Sequence, residues 1–330
     1  MEHRMGTLVP SGVQLLSIGD ANAELAFSSL EKMPRFGQEI IVPTLTLRAA
    51  GSAANFALCG ASLGVKTGFA GQLAVDSFGE VVLKAFREAD VDTRCLQLVE
   101  DSTTGLTAAM IRKDGERGFI TYQGTIAKVQ FEQLQKCLQT DVPPRWVHLA
   151  GYHLLDALRG KPATKLLKIA QSRGATTSLD TGWDPAGWSD ESIELVLDTL
   201  KFVDVFFPNA DEVKALTGER SPRKGAEKLL DSGAPTLVIK LGAKGCLLAT
   251  KRDKHLVPGF DVKVMDTTAA GDAFDAGFTA SMLSGATMGR AAVFANAVAA
   301  LRVSRHPNQS LFPSLQETSA FLMRNRPLEA

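Results

Sequence analysis

Trp146-Val147-His148-Leu149-Ala150 is a short apolar run, residues 165–172 carry a helical pattern, and Ala175-Thr176-Thr177-Ser178-Leu179 returns to a strand-like run. A buried strand, a crossover helix and a second buried strand form a βαβ unit. Such a crossover makes the two strands parallel, and parallel sheets are covered by helices on both faces. The rhythm extends outward from this unit. Upstream, Leu15-Leu16-Ser17-Ile18 reads as a strand that exits at Gly19-Asp20, and Ser52–Leu63 as a small-residue helix entered through Gly51 and closed by Gly64. Asp76 reads as the N-cap of a helix whose apolar face is Phe78, Val81, Val82, Ala85, Phe86 and Ala89. Downstream, 202–207, 237–240 and 246–249 are strand-like, and 271–283 and 290–303 are helical. The predicted class is α/β, a doubly wound and mostly parallel sheet with helices on both faces.

Two stretches break the rhythm. Residues 27–47 alternate and hold turn residues (Pro34, Gly37, Pro43) but no helical period. Residues 107–112 and 117–122 flank Lys113-Asp114-Gly115-Glu116, a hairpin signal. Inserted into an α/β core, they read either as a small sheet covering a site, a lid, or as edge strands. The expected organisation is one domain over 13–330, with a β lid from about 22–48 and 103–124, and an N-terminal extension over 1–12.

Composition excludes several classes. The 330 residues hold 36 Lys+Arg against 36 Asp+Glu, a formal net charge of zero. That argues against a nucleic-acid partner, which needs a basic face, and against a polybasic membrane binder. No stretch offers the ~18 consecutive apolar residues of a membrane span, and the first residues lack a signal-peptide apolar core. The four cysteines are far apart without a CxxC pair, which suggests neither a disulfide framework nor a zinc site and makes a reducing cytoplasm the expected location.

The chemistry concentrates in Asp266-Thr267-Thr268-Ala269-Ala270-Gly271-Asp272-Ala273-Phe274, read as a turn between a strand over 261–265 and a helix. Small residues at a helix start let backbone N–H groups approach an anion, and the helix end adds partial positive charge. A carboxylate there, Asp272, is either a general base for an attacking hydroxyl or a first-turn Asp that stabilises the helix. On residue type alone the two readings stand level.

This segment resembles the C-terminal signature of the ribokinase-like (PfkB) carbohydrate kinases, and four further segments match that family in order. Gly19-x-x-Asn22-x-Glu24 resembles the sugar-binding turn, and Ala50-Gly51-Ser52-Ala53-Ala54-Asn55-Phe56-Ala57 the N-terminal glycine signature. Pro208-Asn209-Ala210-Asp211-Glu212 contains the family's Asn-x-x-Glu, and Lys240-Leu241-Gly242-Ala243-Lys244-Gly245 resembles its nucleotide loop. The resemblance runs from about Leu15 to Pro313. Neither a Gly-x-x-x-x-Gly-Lys-Ser/Thr loop nor a dinucleotide Gly-x-Gly-x-x-Gly is present, which disfavours P-loop kinases and dehydrogenases.

The resemblance implies an ATP- and Mg2+-dependent kinase that phosphorylates a primary hydroxyl of a small sugar or sugar derivative. By it, Asp272 is the base, and the amides of Ala269, Ala270 and Gly271 form an anion hole. Asn209 and Glu212 place Mg2+ through water; the alternative for this pair is helix capping. Lys240, Gly242, Gly245, Gly271 and Asn296 border the nucleotide; Asn22, Glu24, Gly51, Asn55 and Asp272 hold the sugar. Asp266 and Thr268 match one side of a potassium (K+) site, and lid pairing into a homodimer is a further implication.

Departures from the family qualify this. Glu24 stands where Asp is usual, Ala50-Gly51 replaces Gly-Gly, and 148–153 lacks an acid, so ribose is disfavoured. His306-Pro307-Asn308 replaces a Gly-containing turn on the other side of the potassium site, which puts K+ in question. Asp180 is expected to form a turn, or to touch substrate or phosphate. His148, His153 and His306 are expected to be structural. Phe36, Phe119 and Tyr122 are expected either to stack on a ligand or to pack within the lid. The rivals are a nucleoside kinase of the same fold and a catalytically silent ligand-binding regulatory protein.

Overall fold

The computed structural model describes residues 12–113, 117–305 and 310–328. Its core is a nine-stranded sheet. In chain order the strands are β1 (Leu15–Gly19), β4 (Thr67–Ala74), β5 (Asp92–Val99), β8 (Trp146–Ala150), β9 (Thr176–Leu179), β10 (Val205–Phe206), β11 (Thr236–Lys240), β12 (Cys246–Thr250) and β13 (Lys254–Val257). They lie in the order β13-β12-β11-β10-β9-β8-β1-β4-β5. From β5 to β11 every pairing is parallel; β12 and β13 close one edge antiparallel. The 146–179 unit forms as read, with β8 and β9 parallel in the register Trp146↔Thr176 to Leu149↔Leu179 around the helix α4 (Lys161–Ser172).

Neighbouring residues of one strand feed opposite cores, which is why these strands read as continuous apolar runs. Leu16, Leu149 and Phe206 pack on one face with Leu166, Leu167 and Val196. Leu15, Ala150 and Phe207 pack on the other with Phe56, Phe69 and Phe278. The helices on this second face include α1 (Ser52–Ser62), α8 (Ala270–Leu283) and α9 (Met288–Ser304). Asp76 caps α2 (Ser77–Glu88) by accepting the Gly79 N–H at 2.7 Å.

The two irregular stretches build a second sheet of four strands, β2 (Asn22–Leu30), β3 (Thr44–Ala50), β6 (Gly105–Arg112) and β7 (Arg117–Tyr122), in the order β3-β2-β6-β7. β2 pairs parallel with β6; the outer pairings are antiparallel. Asp114-Gly115 lies outside the described residues, as do His306-Pro307-Asn308 and residues 1–11. The strand expected over 261–265 does not form. That stretch is largely exposed and joins no ladder; instead the N–H groups of Met265 and Asp266 donate to the Val303 carbonyl at the end of α9.

Candidate active site

The C-terminal ends of β1, β9, β10 and β11 open into a cleft of about 1300 Å³, roofed by the four-stranded sheet. Open α/β sheets bind ligands at this edge, because the strands end there and helices begin there. The lining includes Asn22, Glu24, Gly51, Asn55, Asn209, Glu212, Lys240, Gly242, Gly245, Thr268, Ala269, Ala270, Gly271, Asp272 and Asn296. Residues spread over 274 sequence positions therefore meet in one cavity, and among the expected site residues only Asp266 stands outside its wall.

Asp272 occupies the first turn of α8, after Ala269, which takes a left-handed conformation (φ 56°) as the helix N-cap. The first N–H groups of a helix have no intrahelical partner, so those of Gly271 and Asp272 point into the cleft region. Ala270 N–H makes a long 3.3 Å bond to the Thr267 carbonyl, which leaves it a weaker anion donor than expected. Burial pushes the Asp272 carboxyl up to about 7, Asp180 adds to the rise, and the Asn55 amide opposes it by donating to Oδ2 at 2.8 Å. A carboxyl poised near neutrality beside unpaired amides can take a proton from a hydroxyl as an anion gains charge next to it.

Below this helix end lies a buried charge cluster. Lys240 Nζ pairs with Asp180 Oδ2 at 2.6 Å and Asp275 Oδ2 at 3.0 Å. A Cβ on Gly271 would lie 3.4 Å from that Nζ, so the ammonium sits directly against the start of α8. Burial alone would push Lys240 down, but its two carboxylates outweigh it and hold it well above the lysine range. Burial likewise opposes the Asp180 charge, yet Lys240 brings that carboxyl to about 2, while burial drives Asp275 well above its usual range. Asp180 also accepts the Gly182 N–H at 2.7 Å, which realises its turn-forming reading, and it lines the cleft.

Asn209 and Glu212 form a complete capping box on α6 (Ala210–Thr217): Asn209 Oδ1 accepts from the 211 and 212 amides, and Glu212 Oε2 accepts the Asn209 N–H at 2.8 Å. The capping alternative is therefore realised. Both residues still line the cleft, and Glu212 is pushed up to about 7 by burial and by Asp180. Among the described residues no three His, Cys, Asp or Glu side chains are arranged to hold a metal. The set fits Mg2+ held through water and phosphate oxygens, its usual manner, with the near-neutral Glu212 gaining from a nearby cation.

At one end of the cleft, Gly245 (φ 92°) lets the loop turn under Val257, whose carbonyl a Cβ would meet at 2.1 Å. Asn296 spends both amide hydrogens on the Val257 and Pro258 carbonyls, at 3.1 and 3.0 Å, which makes it a strut in this wall. At the other end, Asn22 donates to Thr107 Oγ1, and Gly51 packs its φ 103° backbone where a Cβ would lie 2.7 Å from the Asp20 carbonyl. Glu24 is ion-paired with Arg48, at 2.6 Å from Nη2, so its acid group reaches the cleft already neutralised.

Asp20, read from the sequence only as part of the first strand's exit, has a second role. Its buried carboxylate accepts the Ser52 and Ala53 N–H groups, both at 2.9 Å, and so caps α1; the signal was an Asp directly after the first strand. Arg117 had no sequence signal: Nη1 donates to Thr267 Oγ1 at 2.8 Å, tying the roof to the 266–271 turn. Phe119 lines the cleft beneath that arginine. Phe36 is fully exposed outside the cleft, and Tyr122 follows Leu106 onto the outer face of the roof. His148 stacks on Phe56 at 3.7 Å and burial lowers it to about 3; His153 is buried near Asp184 and lowered to about 4. His148 is packed in the core, as the structural reading expects, whereas His153 also lines the cleft; His306 lies outside the described residues.

Asp266 does not stand open for a potassium ion. Its carboxylate takes Arg302 Nη2 at 2.8 Å and Arg48 Nη1 at 3.4 Å.

The family model for "pfkB family carbohydrate kinase" matches residues 14–315. A ribokinase of Haemophilus influenzae is 30% identical over 327 residues, covering 93% of this chain and 98% of that protein. A putative ribokinase II of E. coli, solved with ATP and Mg2+, superposes with a TM-score of 0.79 at 24% identity, over 94% of this chain and 99% of that one. Arabidopsis thaliana ribokinase, solved with ribose and ATP, gives 0.74 at 24% identity, over 93% and 98%.

Proposed function

The chain belongs to the pfkB family of carbohydrate kinases, and from that premise we propose that it moves the terminal phosphoryl group of ATP to a primary hydroxyl of a small sugar or sugar derivative. Phosphotransfer to a hydroxyl acceptor is the activity its relatives share. The observation that carries the finer reading is Asp272, near neutral and oriented by Asn55, at the helix end where the two halves of the cleft meet.

In this reading Asn22, Gly51, Asn55 and the Glu24–Arg48 pair hold the acceptor with its hydroxyl toward Asp272. The Asp272 carboxylate takes the hydroxyl proton as the oxygen attacks phosphorus in line. The 269–271 backbone, chiefly Gly271, with Lys240 behind it, receives the charge on the transferring group. Gly242, Gly245 and the strut Asn296 shape the nucleotide end. Asn209 and Glu212 would hold Mg2+ through water, and the bound ion would neutralise phosphate charge. Residues 13–330 act as one unit, with about 22–48 and 103–124 as its lid.

Two further parts of the reading concern the whole molecule. The four cysteines are free, and among the described residues no helix is long and apolar enough to cross a membrane, as suits a cytoplasmic enzyme. The outer face of the lid carries the exposed Leu45, Leu47 and Ile120, which favours a second copy of this chain as its cover.

A coupled ADP-release assay with Mg-ATP against pentoses, hexoses, keto-sugar acids, sugar phosphates and nucleosides tests the function. Turnover on a sugar class, abolished in Asp272→Asn, supports it. Turnover confined to nucleosides selects the nucleoside kinase instead, and ATP binding without turnover on any acceptor returns the silent regulator.

A further inference from the structure

Arg302 is an unusual residue for its place. It lies in α9, is 2% exposed, and is the largest of the fully buried side chains. Burying a guanidinium is costly unless it is paired and hydrogen-bonded. Its pairing is specific. Nη2 donates to Asp266 Oδ2 at 2.8 Å and Nη1 reaches the Asp266 main-chain carbonyl at 3.3 Å. The other carboxylate oxygen accepts the Thr268 N–H at 2.8 Å. The Val303 carbonyl, one residue on in α9, takes the N–H groups of Met265 and Asp266. One turn of α9 thus fixes the backbone that leads into Ala269, with its left-handed φ, and into Gly271.

A bound monovalent cation would need oxygen ligands at this carboxylate and carbonyl. Here the guanidinium holds both, and Arg48 approaches the same carboxylate from the roof at 3.4 Å. Two positive side chains already face one Asp266 carboxylate, and a third cation there would meet the repulsion of both.

We propose that Arg302 is a built-in cation for the 266–271 turn: it stands against Asp266 where potassium would bind, positions the anion-binding amides, and makes phosphoryl transfer independent of monovalent cations. Arg302 is a positioning residue, since it acts through Asp266 and touches no reacting atom. The proposal rests on the kinase reading for its catalytic consequence, but not for its effect on nucleotide binding.

The test compares ATP affinity by titration calorimetry, and ADP release on the accepted sugar, in KCl and in tetramethylammonium chloride at matched ionic strength. The wild-type protein should behave alike in the two salts; activation of several-fold by potassium overturns the proposal. Arg302→Ala should lose about 10²-fold in activity, as small misplacements of a transfer site do, and should regain part of it with added guanidinium or potassium. A merely structural arginine would give no such rescue. Should Arg302→Ala fail to fold, Arg302→Lys and Arg302→Met separate charge from volume. Weaker ATP binding in the Met variant alone supports the proposal, and equal binding in both overturns it. Absence of turnover on every acceptor would sink the kinase reading and leave the ATP-binding comparison intact.

Discussion

Asn55 on α1 donates its amide to Asp272 on α8 across 2.8 Å, so the two helices that flank the cleft meet at the carboxyl poised near neutrality. Asn55 is oriented for one donor role, and its Oδ1 is buried without a partner. The pair joins the part of the cleft lined by α1 to the part lined by the start of α8.

Asp272→Asn should lower kcat by about 10²–10⁴ while circular dichroism shows a native fold. With Asp272 near 7 in the free protein, wild-type kcat/KM should rise with pH through that value and level off above it. Glu212, also near 7, contributes to the same limb, so Glu212→Gln measured alongside shows how much of the limb is left to Asp272.

The same substitution should stabilise the protein at alkaline pH. The Asp272 carboxyl sits higher in the folded state than in the unfolded chain, so the folded state holds the extra proton between about pH 4 and 7. That contribution is complete below the unfolded value and is lost as pH rises through the folded one. Asp272→Asn should therefore exceed wild type in Tm at pH 8, by a difference that shrinks toward pH 4; the ceiling is about 4 kcal/mol. A constant difference across this range would show that the carboxyl is not perturbed.

Asn55→Ala removes the hydrogen bond that holds Asp272 down. The acidic limb of kcat/KM should move to higher pH, and activity at pH 7 should fall more than activity at pH 8.5. An unshifted limb would separate Asn55 from the ionisation of Asp272.

Lys240→Met leaves Asp180 beside Asp275 without their common cation. Breaking a buried pair in this way costs about 3–5 kcal/mol, and protonation of Asp180, which Lys240 holds low, should recover part of it near pH 5. Urea unfolding at pH 8 and pH 5 reads both effects.

Ile120→Glu, on the outer face of the roof, should leave acceptor binding intact and reduce the mass measured by light scattering from two chains to one. An unchanged mass, whether one chain or two in both proteins, removes that face from self-association.

The layering of the fold was legible because its signals are local. Apolar runs such as 15–18 and 146–150 announce strands with two buried faces, and Asp76 and Asn209 announce helix starts by their spacing to the next polar residues. The motif residues were legible as a set, and they do converge on one cleft. What escaped is the pairing of charges distant in sequence. Arg48, Arg117 and Arg302 approach 266–268 from three different elements, and no spacing rule connects them. Arg302 left one faint trace, a charge that follows the stretch 291–301, which is apolar but for Asn296. The 261–265 stretch misled for a related reason. Its alternating Val262 and Val264 serve a cleft wall, which produces the same period as a strand without a ladder partner.

The roof sheet also has a consequence for how the protein can change. Asn22, Glu24, Thr107 and Thr121 share its inner face, while Leu25, Leu47, Ala108 and Ile120 share its outer one, because side chains alternate along each strand. On the proposed reading, the residues for acceptor preference and those for self-association would alternate along the same strands. Each property can drift through point mutations without disturbing the other, whereas a one-residue insertion within β2 would exchange the two at a stroke.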